Sequence, residues 1–143
     1  MKTTVLTVII ALVAGCATAA DQPVSQVAFF GFQLINTSLQ STTPEEGQRI
    51  RSIPPDLENA VAAAPITNCN GCERDFALKA GADLAAWGTV QKVSNLILNI
   101  NVYMEDARAN KMVFVKSVDI RGNTDESWQR GLDYLLRHYL FDH

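Results

Sequence analysis

The sequence predicts a single α/β domain in which a mixed sheet of about five strands packs against helices. An early apolar run is typical of a buried strand, and three alternating segments near the middle indicate an antiparallel meander. The last twenty residues show the apolar periodicity of a helix that packs on a sheet. Strands and helices that follow one another in this way are typical of α/β proteins.

Composition limits the function classes before any motif is considered. The chain has 143 residues, with 12 Lys and Arg against 15 Asp and Glu. These charges are spread along the chain, so no basic stripe is present to neutralise a phosphate backbone. We therefore expect no nucleic-acid partner.

The first 20 residues have the layout of a signal peptide, which leaves residues 21–143 as one domain. Lys2 provides a positive start, and the apolar run Val5–Ala14 is too short for a permanent membrane span. Two cleavage sites remain open. Val13–Cys16 fits a lipobox, in which Cys16 would be acylated, whereas Ala17–Ala19 fits an ordinary A-x-A site. The protein is expected in the periplasm, soluble or attached to the outer membrane by lipid alone.

The first half of the domain is predicted to contain two strands and two short helices. Val27–Ile35 is apolar on both faces and predicts a buried first strand. Glu45–Ala63 has helical character that Pro54 and Pro55 divide into two helices. A brief strand is expected near Pro65–Thr67.

The meander is predicted over Leu84–Val93, Leu96–Asp106 and Lys111–Ile120, which short turns separate. In the middle strand, alternate residues divide into an apolar and a polar set. The apolar set is Leu96, Leu98, Ile100, Val102 and Met104, and the polar set is Asn99, Asn101, Tyr103 and Glu105. One face of this strand should therefore pack and the other should be polar.

Helices are predicted on both sides of the meander. The first opens at Asn70 or Gly71 and ends at Gly81, which suits the left-handed conformation at a helix end. The second covers Asn123–Leu140, with its first residue as N-cap and Glu126 completing a capping box. Its apolar stripe should lie on the sheet and consists of Trp128, Leu132, Leu135, Leu136, Tyr139 and Leu140.

Several long strings resemble a family of small exported bacterial proteins known only as a domain of unknown function. They are CNGCE at 69–73, GADLA at 81–85, VQKVSNLILNINV at 90–102 and SVDIRGNTDESWQRGLDYLLR at 117–137. The order of elements is also similar to the N-terminal domain of TolB and to the periplasmic domain of CsgG, which implies a TolB-N-like fold. Neither resemblance implies an established activity.

Cys69 and Cys72 form the one motif with evident chemistry. In an oxidising compartment, two thiols at this spacing beside a helix start can form a structural disulfide. The same position can also lower a thiol pKa and support a redox role. All five prolines precede Cys72, so the cis-proline that follows a thioredoxin-like CxxC is missing. Both interpretations remain open, with the structural one favoured.

No catalytic set, cofactor site or metal site is predicted. The two histidines, His138 and His143, lie at the far end of the chain from the cysteines, and two thiols alone make a poor zinc site. Asp125 and Glu126 fall in the first turn of the last helix, where the helix dipole explains them.

The polar face of the meander is the candidate binding surface. Gln91, Asn99, Asn101 and Tyr103 are predicted to line it and to hydrogen-bond a glycan, a peptide or a protein. Asparagine is a poor strand former, so two in one strand suggest a local reason. The alternative is an ordinary solvated sheet face.

The function that follows is an exported, non-enzymatic accessory or interaction domain of the cell envelope with a protein partner. The alternative is a periplasmic thiol-disulfide protein that uses Cys69 and Cys72, and a third interpretation is a small-ligand or metal carrier. The sequence predicts no oligomeric state.

Overall fold

The computed structural model describes residues 26–53, 60–62 and 71–140, which form five strands and three helices. The signal peptide, Cys16 and Cys69 lie outside the described residues. The elements are β1 Val27–Asn36, α1 Pro44–Ser52, β2 Ala60–Ala62, α2 Cys72–Lys79, β3 Leu84–Lys92, β4 Ile97–Asp106, β5 Lys111–Arg121 and α3 Asp125–Tyr139.

The strands form one mixed sheet in the order β2-β1-β3-β4-β5. β1 runs parallel to both β2 and β3, whereas β4 runs antiparallel to both β3 and β5. The predicted α/β class, the mixed sheet and the meander are therefore confirmed.

The prediction for the segment before α2 is wrong in one respect. Ala60–Ala62, assigned from sequence to the second of two short helices, is strand β2. It pairs in parallel with Val27–Phe29 of β1, and this long-range backbone pairing overrides the helix propensity of its alanines. The strand expected near 65–67 and most of the second helix lie outside the described residues.

One face of the sheet packs against α1 and α3. Val90, Leu98, Ile100 and Leu135 are completely buried there, together with Trp128. Of the six residues of the stripe predicted on α3, Trp128, Leu132 and Leu135 are therefore in the core, and Leu140 is partly buried. Leu136 is partly buried, while Tyr139 is 42% exposed.

Leu96 was expected on the packed side of β4, but it is 72% exposed. β4 begins one residue later, and Leu96 lies in the turn that precedes it. The Ser94 hydroxyl accepts hydrogen bonds from the backbone N–H groups of Leu96 and Ile97. This local side-chain bonding holds the turn and keeps Leu96 out of the strand.

The second face of the sheet is covered at one end by α2. Ala28, Ala77 and Ala85 are fully buried in this contact, since their small side chains let the helix approach the strands closely. The predicted end of α2 is confirmed, because Gly81 follows its C-cap with φ of +76°. The remainder of this second face carries no helix of the described part of the chain.

The N-cap of α3 is Thr124, not the predicted Asn123. The Thr124 hydroxyl accepts from the backbone N–H of Ser127, so the cap lies one residue later than expected and Glu126 does not complete a capping box. A full capping box is present instead at α1, between Thr43 and Glu46. Asn123 is thereby free to bond across the molecule.

Candidate functional site

The uncovered part of the second sheet face brings the predicted polar residues together. In the β3–β4 register Gln91 lies opposite Asn99, and Thr89 lies opposite Asn101. Because side chains alternate between the two faces, the same side of β5 presents Val115, Ser117 and Asp119. We call this surface the open face; its residues are Trp87, Thr89, Gln91, Asn99, Asn101, Tyr103, Val115, Ser117 and Asp119.

Hydrogen bonds between strands fix the amides of the open face. The Asn99 Nδ2 donates to Ser117 Oγ at 2.8 Å and to Asp119 Oδ1 at 2.7 Å. The Asn101 Nδ2 donates to Thr89 Oγ1 at 3.2 Å. These bonds hold the two asparagines in defined orientations and give a local reason for placing them in a strand.

An aromatic pair adjoins the amides. Trp87 lies opposite Tyr103 in the register, and their rings stack with centroids 5.6 Å apart and an interplanar angle of 18°. Sequence reasoning predicted Tyr103 and missed Trp87. The signal was present, because Trp87 shares the strand phase of Thr89 and Gln91.

The edge strand next to the open face exposes apolar side chains. β5 is the last strand of the sheet order, so one side of its backbone lacks a strand partner within the described residues. Val115 is 54% exposed and Val113 is 52% exposed. A β-bulge interrupts the pairing with β4 beside Val113, whereas the register is regular from Phe114 to Arg121. The regular part of β5 thus offers an extended edge with an apolar residue on the open face.

Cys72 is disulfide-bonded at the first position of α2. The N-cap of α2 is Gly71, which has φ of +89° and provides no capping side chain. The pairing of Cys72 with Cys69 stays a prediction, because Cys69 lies outside the described residues.

A buried ion pair that the sequence analysis missed joins α1 to the end of β3. Lys92 Nζ lies 2.5 Å from Glu46 Oε1, and these side chains are 1% and 0% exposed. The backbone N–H of Thr43 donates to Glu46 Oε2 at 2.9 Å. Lys92 was detectable from sequence, since it occupies the same strand phase as the core residue Val90.

Asn123 extends this ion pair to α3. Its Nδ2 donates to Glu46 Oε1, and its Oδ1 accepts from Trp128 Nε1 at 3.0 Å and from Arg49 at 3.1 Å. Arg49 also forms an ion pair with Asp125. Each polar group is matched by a partner, as buried polar networks require.

The electrostatics of Glu46 reflect two opposed effects. Burial raises the pKa of its carboxyl group, but the hydrogen bonds from Lys92, Thr43 and Asn123 outweigh burial. The net result is a pKa below the ordinary value of 4.5, so Glu46 is charged at neutral pH. The Glu46 carboxylate has its hydrogen-bond partners inside the protein, and these bonds link α1 to the end of β3 and to the start of α3.

His138 and Glu126 have structural contacts, whereas His143 lies outside the described residues. His138 packs edge-on against Tyr134 with ring centroids 4.2 Å apart, and Glu126 pairs with Arg130 at 3.1 Å. Over residues 26–53, 60–62 and 71–140, no group of three or more His, Cys, Asp or Glu side chains is arranged to hold a metal ion. The helices within those ranges are all too short or too polar to cross a membrane.

Comparison with solved structures places the fold beside bacterial proteins of low sequence identity. Lipoprotein GNA1162 from Neisseria meningitidis is 12% identical, with a TM-score of 0.51 and coverage of 82% of this chain and 97% of that protein. The LpoB C-terminal domain from Salmonella enterica is 7% identical, with a TM-score of 0.47 over 68% and 82% of the two chains. TolB from Acinetobacter baumannii is 9% identical, with a TM-score of 0.39 over 80% and 29%.

Of these three, GNA1162 supports a shared fold and, at its low identity, nothing beyond the fold. No functionally curated protein matches the chain. A family model described as "Protein of unknown function (DUF2380)" matches residues 53–140. This range contains β2, α2, the meander and α3, and all four strings that carry the resemblance lie within it. The chain therefore belongs to the family DUF3280, whose function is not described.

Proposed function

We propose that this protein is an exported, non-enzymatic accessory domain of the bacterial cell envelope that binds a protein partner through the open face and β5. The leader sequence supports export. The fold shared with GNA1162, a protein described as a lipoprotein, agrees with a role in the envelope. Among the described residues, the candidate bases and carboxylates have structural contacts in place of a catalytic arrangement.

The observation that carries this proposal is the exposed edge of β5 beside the fixed amides. An edge strand presents unpaired backbone groups to which an extended segment of another protein can add as a further strand. Val115 then gives the segment an apolar contact, while Ser117 and Asp119 give it hydrogen-bonding partners. Lys111 and the bulge beside Val113 discourage pairing at the start of β5, so we assign the docking segment to Phe114–Arg121.

A matched pair of variants tests the surface. Val115→Lys places a charge on the open face, whereas Leu39→Lys makes a similar change at a fully exposed loop residue remote in sequence from β5. Both proteins should fold. After chemical cross-linking in the native envelope and mass spectrometry, we expect a specific protein to be captured by the native chain and by Leu39→Lys, but lost with Val115→Lys. Capture that is the same for all three proteins would contradict the proposal.

The placement in the envelope has its own test. Intact mass of the protein isolated from its native envelope distinguishes acylation at Cys16 from cleavage near Ala20. Acylation makes the domain a lipid-anchored protein, and cleavage makes it a soluble periplasmic one. Retention of the full leader would contradict export.

A second candidate function is a thiol-disulfide protein. The disulfide-bonded Cys72 begins a helix, where the helix dipole lowers a thiol pKa. Replacing both Cys69 and Cys72 with Ser distinguishes the two roles. Loss of biological effect with an unchanged melting temperature supports redox activity. A lower melting temperature with the effect retained supports a structural disulfide.

A further inference from the structure

A groove of about 460 Å³ lies between α1 and α3, on the side of the sheet opposite to the open face. Each helix contributes one strip of residues at helical spacing. The strip on α1 is Glu45, Gln48, Arg49 and Ser52, and the strip on α3 is Asp125, Trp128, Gln129, Leu132, Asp133 and Leu136. Two facing helical strips with a gap between them are the walls that a third helix packs against.

The groove has an apolar part and a polar part. Leu132, Leu136 and Trp128 line it from α3, and Ile53 lines it at the end of α1. Ile53 and Leu136 are partly exposed, so an apolar side chain placed in the groove would remove their surface from water. The α1 strip above them is entirely polar.

The charge of the groove is negative in effect. Among the described residues that line the groove, the one cation is Arg49, which is bound to Asp125 and to Asn123 and lies over the Trp128 ring at 5.8 Å. Glu45 and Asp133 form no ion pair within the described part of the chain. Two carboxylates on opposite walls are therefore left to meet a positively charged ligand.

We propose that this groove binds a basic amphipathic helix of a partner protein. The apolar side of the helix would contact Ile53, Leu132 and Leu136, and its Lys or Arg residues would approach Glu45 and Asp133. An amphipathic helix in an apolar groove is a recurrent mode of protein recognition, and complementary charge sets its orientation. The groove shares no residue with the open face, so both surfaces can be occupied at once.

The hydrogen bonding of Glu45 agrees with this proposal. Its own backbone N–H and the Thr43 hydroxyl hold the pKa of its carboxyl group below the ordinary value. The carboxylate of Glu45 is therefore negatively charged at neutral pH, with Arg49 on the same helix as a nearby positive charge.

The two tryptophans of the chain provide a direct test, because Trp128 lines the groove and Trp87 lies on the open face. The probe is a synthetic helical peptide with Leu at helical spacing on one side and Lys on the other. Titrated into the full mature chain, it should shift the indole N–H resonance of Trp128 and leave that of Trp87 unchanged. A counterpart with Glu in place of Lys should produce no shift.

Charge reversal provides the matched control. Asp133→Lys should weaken peptide binding by about tenfold, because an attraction is replaced with a repulsion. Glu126→Lys makes the same change on the same helix outside the groove and should leave affinity within about twofold of the native chain. Asp133→Asn, which perturbs the helix less, should give an intermediate loss. Equal affinity for the Asp133 and Glu126 variants, a shift of Trp87 alone, or no shift at all would overturn the proposal.

Discussion

At the scale of single residues, the buried Glu46–Lys92 pair is the interaction with the largest consequences. Removing two charges from water is costly, and their attraction offsets that cost only when the remaining donors and acceptors are satisfied. Thr43 and Asn123 satisfy them here. The pair therefore fixes how α1 and the start of α3 meet the end of β3, more than it adds net stability.

We expect Glu46→Gln to lower the free energy of unfolding by about 3–5 kcal/mol, because the Lys92 ammonium keeps its burial and loses its counter-charge. Urea denaturation measures this change. Glu126→Gln, at an exposed ion pair, should cost less than about 1 kcal/mol. The double variant Glu46→Gln/Lys92→Met should be more stable than Glu46→Gln alone. A double variant that is less stable than the single one would show that Lys92 has another role.

Stability should also depend on pH through Glu46. Its pKa in the folded state is below the ordinary value of 4.5, so the folded state favours the ionised carboxylate. The resulting stability is complete above the unfolded pKa and is lost as the pH falls through the folded pKa. We expect the free energy of unfolding to decline between about pH 5 and pH 3, with a shallower decline in Glu46→Gln/Lys92→Met. Identical pH profiles for the two proteins would exclude Glu46 as a source of the acid sensitivity.

At the scale of elements, two helical glycines differ in the space around them, and therefore in why a side chain is absent. Gly131 lies inside α3 where the helix crosses β5, and a Cβ added there would be 2.2 Å from Ile120 Cγ2. Gly47 lies inside α1, and a Cβ there would meet only the flexible end of Arg51 at 3.5 Å. The first glycine permits close packing of helix on sheet, and the second has no such function.

Alanine at these two positions should therefore have opposite effects. Gly131→Ala should destabilise the protein by about 1–3 kcal/mol, since the clash exceeds the gain in helix propensity. Gly47→Ala should stabilise it by about 0.5–1 kcal/mol through propensity. Thermal or urea unfolding of both variants gives the answer. Stabilisation of both would indicate that α3 can move away from Ile120.

Sequence patterns predicted the elements that have strong local periodicity and missed those set by distant contacts. The alternation in β4 and the stripe of α3 were sufficient to locate both elements. β2 has only three residues and exists because β1 pairs with it. The phase of β1 changes at Gly31, which has φ of +80°, so Phe29 and Phe32 pack on the same face. No alternating pattern would indicate that change.

At the scale of the whole molecule, the two candidate surfaces lie on opposite sides of the sheet. The four residues predicted for the open face are adjacent, because alternation and register together determine a sheet face. The groove and the Glu46–Lys92 pair were not predicted, since each joins α1 to segments more than 40 residues away. Contacts of this kind depend on the topology, which periodicity does not encode.

The sheet order makes β1 the strand that joins β2 to the rest of the sheet. β1 lies between β2 and β3 in the sheet, and both of these neighbours come after residue 53 in the chain. The segment matched by the family model, residues 53–140, lacks β1 and α1. The matched segment therefore lacks the strand that lies between β2 and β3 in the sheet.

Fragment complementation follows from this arrangement. Residues 53–143 alone should lack a cooperative unfolding transition, because β3 would lose its parallel partner and α3 would lose α1. Addition of residues 21–52 as a separate peptide should restore the transition, with β1 entering the gap between β2 and β3. Circular dichroism during thermal unfolding would record the recovery. The two fragments, each fused to a different protein, would then report whether those two proteins associate.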